Sequence, residues 1–200
     1  MLEPAAPQPS GGPGPSSRSG NCLIPMWTIG HSNRPLTEFL AMLRAHTVKM
    51  LVDVRSVPKS RHNPQFNRDT LPEPLAEAGI GYIHLAALGG LRHPANDSRN
   101  TAWKNLSFRG YADYMQTPEF ARGIEELLRI DSLSPAAIMC AEAVPWRCHR
   151  SLIADALTAR GIPVWHILGE HREEPHRVTS FALVEGSRVT YPGENLDLFR

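Results

Sequence analysis

The chain has 200 residues, 42% of them hydrophobic, with 21 basic against 20 acidic side chains and a formal net charge of +1. That length holds one domain with or without tails, and the apolar share is enough for one core. The charge balance excludes a general electrostatic pull toward nucleic acid or acidic membrane. No apolar run approaches the roughly 18 residues that a membrane span needs.

Residues 1–25 are dominated by Pro, Gly and Ser ("MLEPAAPQPSGGPGPSSRSG"). Such a segment buries too little apolar surface to offset its chain entropy, so it is expected to be a disordered tail, with Met26 a candidate initiator. No secretory pattern is visible, because the first twenty residues lack an apolar centre. With no export signal, the three cysteines, Cys22, Cys140 and Cys148, read as reduced thiols of a cytoplasmic protein.

Residues 26–200 read as a single domain in which strands and helices alternate. "MWTIGHS" reads as a short buried strand. "RPLTEFLAMLRAH" sets Leu36, Phe39, Leu40 and Leu43 on one helical face. "VKMLVDVRSV" is a second strand, and residues 58–69, with Pro58 and Pro64, form a loop. In "TLPEPLAEAG", Thr70 and Glu73 have capping-box spacing and Gly79 suits a helix stop. "IGYIHLAAL" is a third strand, followed by an irregular excursion over about residues 89–107, of a length that is often functional. "FRGYADYMQTPEFARGIEELLRI" is helical and split at Pro118, with Thr117 as the cap of the second part. "PAAIMCA" is a fourth strand, "HRSLIADALTARG" a helix with Leu152, Ile153, Ala156 and Leu157 inward, and "IPVWHIL" a fifth strand. Residues 170–200 read as a charged turn, a short hairpin and a tail.

This alternation predicts an α/β fold, a single domain with a mainly parallel sheet flanked by helices. In such sheets, sites gather beyond the carboxyl ends of the strands. Those ends carry His31 and Ser32, Asp53 and Arg55, Gly89 and Gly90, and Cys140 and Glu142.

"IMCAEAVPWRCHRS", Ile138–Ser151, adds two thiols and a basic cluster. Cys148, His149 and Arg150 stand at a helix mouth, where unpaired N–H groups favour thiolates and anions. Cys148 is a candidate nucleophile, or else a small packed residue beside an anion cradle. Cys140 ends an apolar strand and is either core or part of the site. Glu142 and His149 are candidate proton-transfer groups, and Asp53 is a second candidate carboxylate. A zinc or iron site using Cys140, Cys148, His149 and His31 fits by ligand type. Seven residues between the cysteines is not a zinc-finger spacing, so no metal site is assigned.

The order "LVDVRS", then a strand ending in Cys, then Arg-Ser, a helix and a strand resembles the layout of rhodanese-like sulfurtransferases. That resemblance implies a sulfur carrier, but nine residues separate Cys140 from Arg150 where the rhodanese loop is short. "TIGHSNRPLTEFLAML", "LVDVRSVPKSRHNPQFN", "LAEAGIGYIHLAALGG", "FRGYADYM", "MCAEAVPWRCHRSLIADAL" and "VTYPG" together resemble, over about residues 27–193, the mostly bacterial family labelled domain of unknown function 488. The resemblance implies no activity. It directs attention to His31, Ser32, Asp53, Arg55, Asn63, Arg109, Tyr111, Cys140, Glu142, Cys148, His149 and Arg150.

With Lys104, these residues suit an anionic ligand with an apolar or aromatic part, such as a nucleotide or phosphorylated metabolite. His31, Ser32, Arg55, Asn63, Lys104, Arg109, Tyr111 and Arg150 would bind it, and Trp103, Tyr111 and Trp146 would stack on a ring. The sequence leaves open a cysteine-dependent hydrolase or transferase, a non-catalytic nucleic-acid or anion-binding module, and a metal-dependent or sulfur-carrying site. Cofactor, oligomeric state and substrate stay open as well.

Overall fold

A computed structural model describes residues 25–193; the expected N-terminal tail and Cys22 lie outside them. The expected strands form as β1 (Met26–Gly30), β2 (Met50–Asp53), β3 (Gly81–His84), β4 (Ala136–Cys140) and β5 (Val164–Gly169). All five run parallel, in the order β3-β2-β4-β1-β5, and β6 (Arg172–Pro175) adds an antiparallel edge. β6 was not expected, because all four residues of "REEP" are exposed and give no apolar signal. Its charged, proline-ended sequence suits an edge that must not pair further.

Helices cover both faces. On one, α1 (Leu36–Ala45) and α2 (Pro72–Glu77) bury Phe39, Leu43 and Leu75 with Ile29, Leu51 and Met139. On the other, α3 (Leu106–Tyr114), α4 (Pro118–Leu133) and α5 (Arg150–Thr158) bury Tyr111, Phe120, Ile124, Leu127 and Leu152 with Val52, Val54 and Ile138. Both faces being covered explains why the strands are apolar throughout rather than alternating. A hairpin, β7 (Leu183–Glu185) and β8 (Arg188–Thr190), closes the described chain.

Local signals behave as their chemistry requires. Thr117 accepts from Phe120 N–H and caps α4, with Pro118 in the first turn. Gly79 takes a φ of 71°, as a helix stop requires. The capping box at Thr70 does not form. Its hydroxyl donates to the Pro64 carbonyl at 2.6 Å instead, and α2 begins after Leu71 without a side-chain cap.

A buried polar chain was not legible from sequence. Thr28 Oγ1 meets His166 Nδ1 at 2.7 Å, His166 Nε2 meets His176 Nδ1 at 3.0 Å, and His176 Nε2 meets Asp155 Oδ1 at 2.8 Å. Burial, reinforced by His176 and Arg150, pushes the His166 pKa down to about 3. The folded protein therefore binds fewer protons than the unfolded chain between about pH 6.5 and 3, so stability is full above that window and falls on acidification through it, by up to about 1.4 kcal/mol per unit. Urea melts at a series of pH values should show wild-type stability falling between about pH 6 and 4 more steeply than that of His166→Asn. Equal slopes would rule out His166 as the group responsible.

Candidate functional site

The parallel sheet delivers its strand ends to one edge, as the alternation predicted. β4 ends at Cys140. The chain then runs out through a short helical turn at Pro145–Arg147 and returns at Cys148, whose neighbour His149 caps α5. The excursion closes on itself, so both sulfurs and the His149 ring come together. His149 Nδ1 lies 3.8 Å from Cys140 Sγ and 3.7 Å from Cys148 Sγ, and all three atoms lie within 4.8 Å of one another.

Three neighbours seat the imidazole. Its Nε2 donates to the Val54 carbonyl at 3.0 Å. A carbonyl only accepts, so the proton is on Nε2, and Nδ1 is the nitrogen turned to the sulfurs. The Tyr111 ring packs 4.9 Å from the His149 ring, and its hydroxyl donates to the Leu88 carbonyl. Gly90 lies on the third side: a Cβ there would come within 2.3 Å of Nδ1. Tyr111 is fully buried, so it supports His149 and does not stack on a ligand.

The thiols differ. Cys148, close beside it, holds the Cys140 thiol well below its ordinary range; burial opposes this, and Arg150 reinforces it. Cys148, buried beside Cys140, is pushed well above the ordinary range. The helix mouth was expected to favour a Cys148 thiolate; in the folded chain the surroundings favour charge on Cys140 instead. Cys140 is both core and site, since it packs in the apolar cluster yet keeps 8% exposure on a cleft.

That cleft, about 450 Å³, is lined by Cys140, Cys148 and His149, with Val57, Leu91 and Phe108 as its apolar part. A second pocket of about 590 Å³ continues from it, sharing Arg55, Val57, Ala141, Glu142 and Arg147. Its own lining includes His31, Ser32, Lys59 and Asn63.

Arg55 is held rigidly at this junction. Its guanidinium donates to both oxygens of the fully buried Asp53, at 2.9 Å from Nε and 2.6 Å from Nη2, and to the Phe66 carbonyl. Its Nη1 faces His31 Nε2 at 3.1 Å. Burial lowers the His31 pKa, and the charge of Arg55 adds to that against the bond to the Ser32 carbonyl. Asp53 orients Arg55 and does not itself line the cleft.

Other expected site residues lie elsewhere. Glu142 is exposed at the rim, not partly buried as its proton-transfer role needs. It does not pair with Arg150, whose Nη2 donates to the Ala143 carbonyl. Arg150 is 1% exposed and sits beneath the return loop, outside both linings. Lys104 and Arg109 line neither pocket, and Arg109 donates to the Trp103 carbonyl. Trp103 and Trp146 line a separate cavity of about 700 Å³ beside His166 and His176. His31 contributes no fourth atom to the sulfur cluster, since both its nitrogens are engaged.

Sequence reasoning missed Lys59 and Phe108, and placed Gly90 at the strand ends only as half of a glycine pair, without a role.

The domain of unknown function DUF488 matches residues 35–157. The chain belongs to that family. The DUF488 match takes in β2, β3, β4 and most of α5, and with them Cys140, Cys148, His149, Asp53 and Arg55. It is shorter than the span of shared words, and β1 and β5 fall outside it. No curated protein and no solved structure matches the chain.

Proposed function

We propose that this DUF488 protein is an enzyme acting on a phosphate-bearing ligand of nucleotide type, with Cys140, Cys148 and His149 as its reacting centre. The observation that carries the reading is that the cluster lines an apolar cleft whose wall of Arg55, Val57, Ala141, Glu142 and Arg147 is shared with a basic pocket. Arg147 and Lys59 suit a phosphate, a guanidinium offering a planar fork for its oxygens and an ammonium a point charge, while Arg55, its fork taken by Asp53, adds positive charge to the wall. Val57 and Leu91, 61% and 74% exposed, and Phe108 suit the apolar part of the same ligand. A ligand reaching from the basic pocket over the shared wall into the cleft would bring its cleft-side part beside the sulfurs and His149. Arg55 is pre-ordered by Asp53, which lowers the cost of ordering on binding. No helix among the described residues is long and apolar enough to cross a membrane.

The test is a thermal-shift screen of the full chain against nucleotides and phosphorylated metabolites, followed by turnover assays on the hits. At least one such compound should raise the melting temperature. Arg147→Ala should weaken its binding about tenfold, in line with the loss of one charged hydrogen bond. Cys140→Ser should abolish turnover while leaving binding in place. Affinity for oligonucleotides that collapses with salt, with no turnover of any compound, would replace this reading with a nucleic-acid module.

A further inference from the structure

Three ligand atoms within 4.8 Å of one another can share a cation. We propose that Cys140 Sγ, Cys148 Sγ and His149 Nδ1 form a three-ligand site for a soft divalent cation of the zinc class, with its remaining position open to the cleft. The proposal deepens the enzymatic reading above and rests on the same cluster.

Geometry is the first support. Tetrahedral zinc with bonds of about 2.3 Å to sulfur and 2.0–2.1 Å to nitrogen sets its ligand atoms about 3.5–3.8 Å apart. The two sulfur–nitrogen separations here are 3.8 and 3.7 Å. The sulfurs lie within 4.8 Å of each other, so a small closure completes the triangle.

The surroundings are the second. A metal-binding imidazole almost always donates its other N–H to a carbonyl or carboxylate, which fixes tautomer and ring direction. His149 does this through Nε2 to Val54, leaving the Nδ1 lone pair toward the sulfurs. Tyr111 and Gly90 hold the ring there. Arg150, buried nearby with Nε and Nη1 unpartnered, offers positive charge that offsets two thiolates on one ion.

Ligand identity is the third. Two thiolates and an imidazole select zinc-like ions over magnesium or calcium, which prefer oxygen. Among the described residues no fourth His, Cys, Asp or Glu joins the group. Three protein ligands are the count of catalytic zinc sites, where the remaining position activates water or polarises a ligand oxygen. All three residues line the cleft, so a cation there meets whatever the cleft holds. The cysteine spacing, which argued against a zinc finger, is no obstacle to a site closed by a strand end and its own return loop.

The experiment is metal analysis of the full chain purified without chelator, then Co(II) loading of chelator-treated protein. About one zinc per chain is expected, together with thiolate-to-cobalt charge-transfer absorption and the visible bands of tetrahedral cobalt. Cys140→Ser and Cys148→Ser should each lose the charge-transfer band, and Cys22→Ser should keep it. His149→Gln removes a ligand outright and should weaken Zn(II) binding by at least the roughly 10–100-fold that loss of an outer-shell partner costs. Far-UV circular dichroism of each variant checks that the fold survives. A folded wild-type chain that takes up neither Zn(II) nor Co(II) overturns the proposal, as does full turnover by chelator-treated protein, which would leave the enzymatic reading standing. Stoichiometric metal with no turnover of any phosphate-bearing compound upholds the site and removes that reading instead.

Discussion

Asp53→Ala should cost about 3–5 kcal/mol of stability, the range for removing one partner of a buried ion pair. Asp53 is fully buried at the end of β2 and accepts from the Arg55 backbone N–H, from Arg55 Nε and Nη2, and from the Tyr82 hydroxyl. Without it, the Arg55 guanidinium stays 6% exposed with the Phe66 carbonyl and one edge of His31 as its remaining partners. A loss of that size is a large share of the roughly 5–15 kcal/mol that holds a domain together. For a chain of this length it corresponds to about 6–20 °C in melting temperature. Tyr82→Phe removes one neutral donor and should cost only about 1 kcal/mol, which separates the charge from the packing. A denaturant melt of Asp53→Ala within about 1 kcal/mol of wild type would show that Arg55 finds another partner or leaves the interior.

The second large effect is at Asp155. This carboxylate is fully buried on α5 and accepts four hydrogen bonds: from His176 Nε2 at 2.8 Å, Thr179 N at 2.9 Å, Thr179 Oγ1 at 2.7 Å and Tyr191 Oη at 2.7 Å. It fastens the segment after β6, and the chain after β8, to the core. Four donors converge on it, so Asp155→Asn is as informative as Asp155→Ala: the amide keeps one acceptor oxygen where the carboxylate offers two, and the donors now spread over both oxygens lose a partner. We expect either change to cost about 3 kcal/mol or more, because several buried donors lose their partner together. Proteolysis should then cut first between residues 176 and 182, ahead of the sheet. A variant as stable and protease-resistant as wild type would show that the hairpin is held by its apolar contacts alone.

Much of this organisation is readable from the amino-acid order. Apolar runs such as "MLVD" and "AAIMC" have no polar face to give, so they belong in a sheet covered on both sides, and parallel strands then place His31, Arg55, Cys140 and Glu142 at one edge. Which of the polar residues meet is a different kind of information. Lys59 and Arg147 line the basic pocket while Lys104 and Arg109 do not, although all four are cations on or beside loops; only the path of the backbone separates them. The choice between Cys140 and Cys148 for the negative charge depends on how the two buried thiols meet, which a reading of Cys148 against its own helix does not contain. The Thr28–His166–His176–Asp155 chain joins residues up to 138 positions apart; Thr28, His166 and Asp155 read as isolated polar exceptions in apolar segments, and His176 as one more polar residue of a charged turn.

The strand order has a consequence for how the chain is made. β1 is synthesised first, yet its two neighbours, β4 and β5, are supplied by residues 136–169. β2 meets β3 early, but its other partner is β4 again. At about 5–20 residues per second, β1 waits on the order of ten seconds before a partner strand exists. Met26 and Ile29, with no exposure in the finished molecule, are uncovered for that whole interval. A nascent chain that has not yet reached residue 136 lacks both strands that pair with β1. The arrival of the strand ending at Cys140 closes the sheet and begins the sulfur cluster in one event.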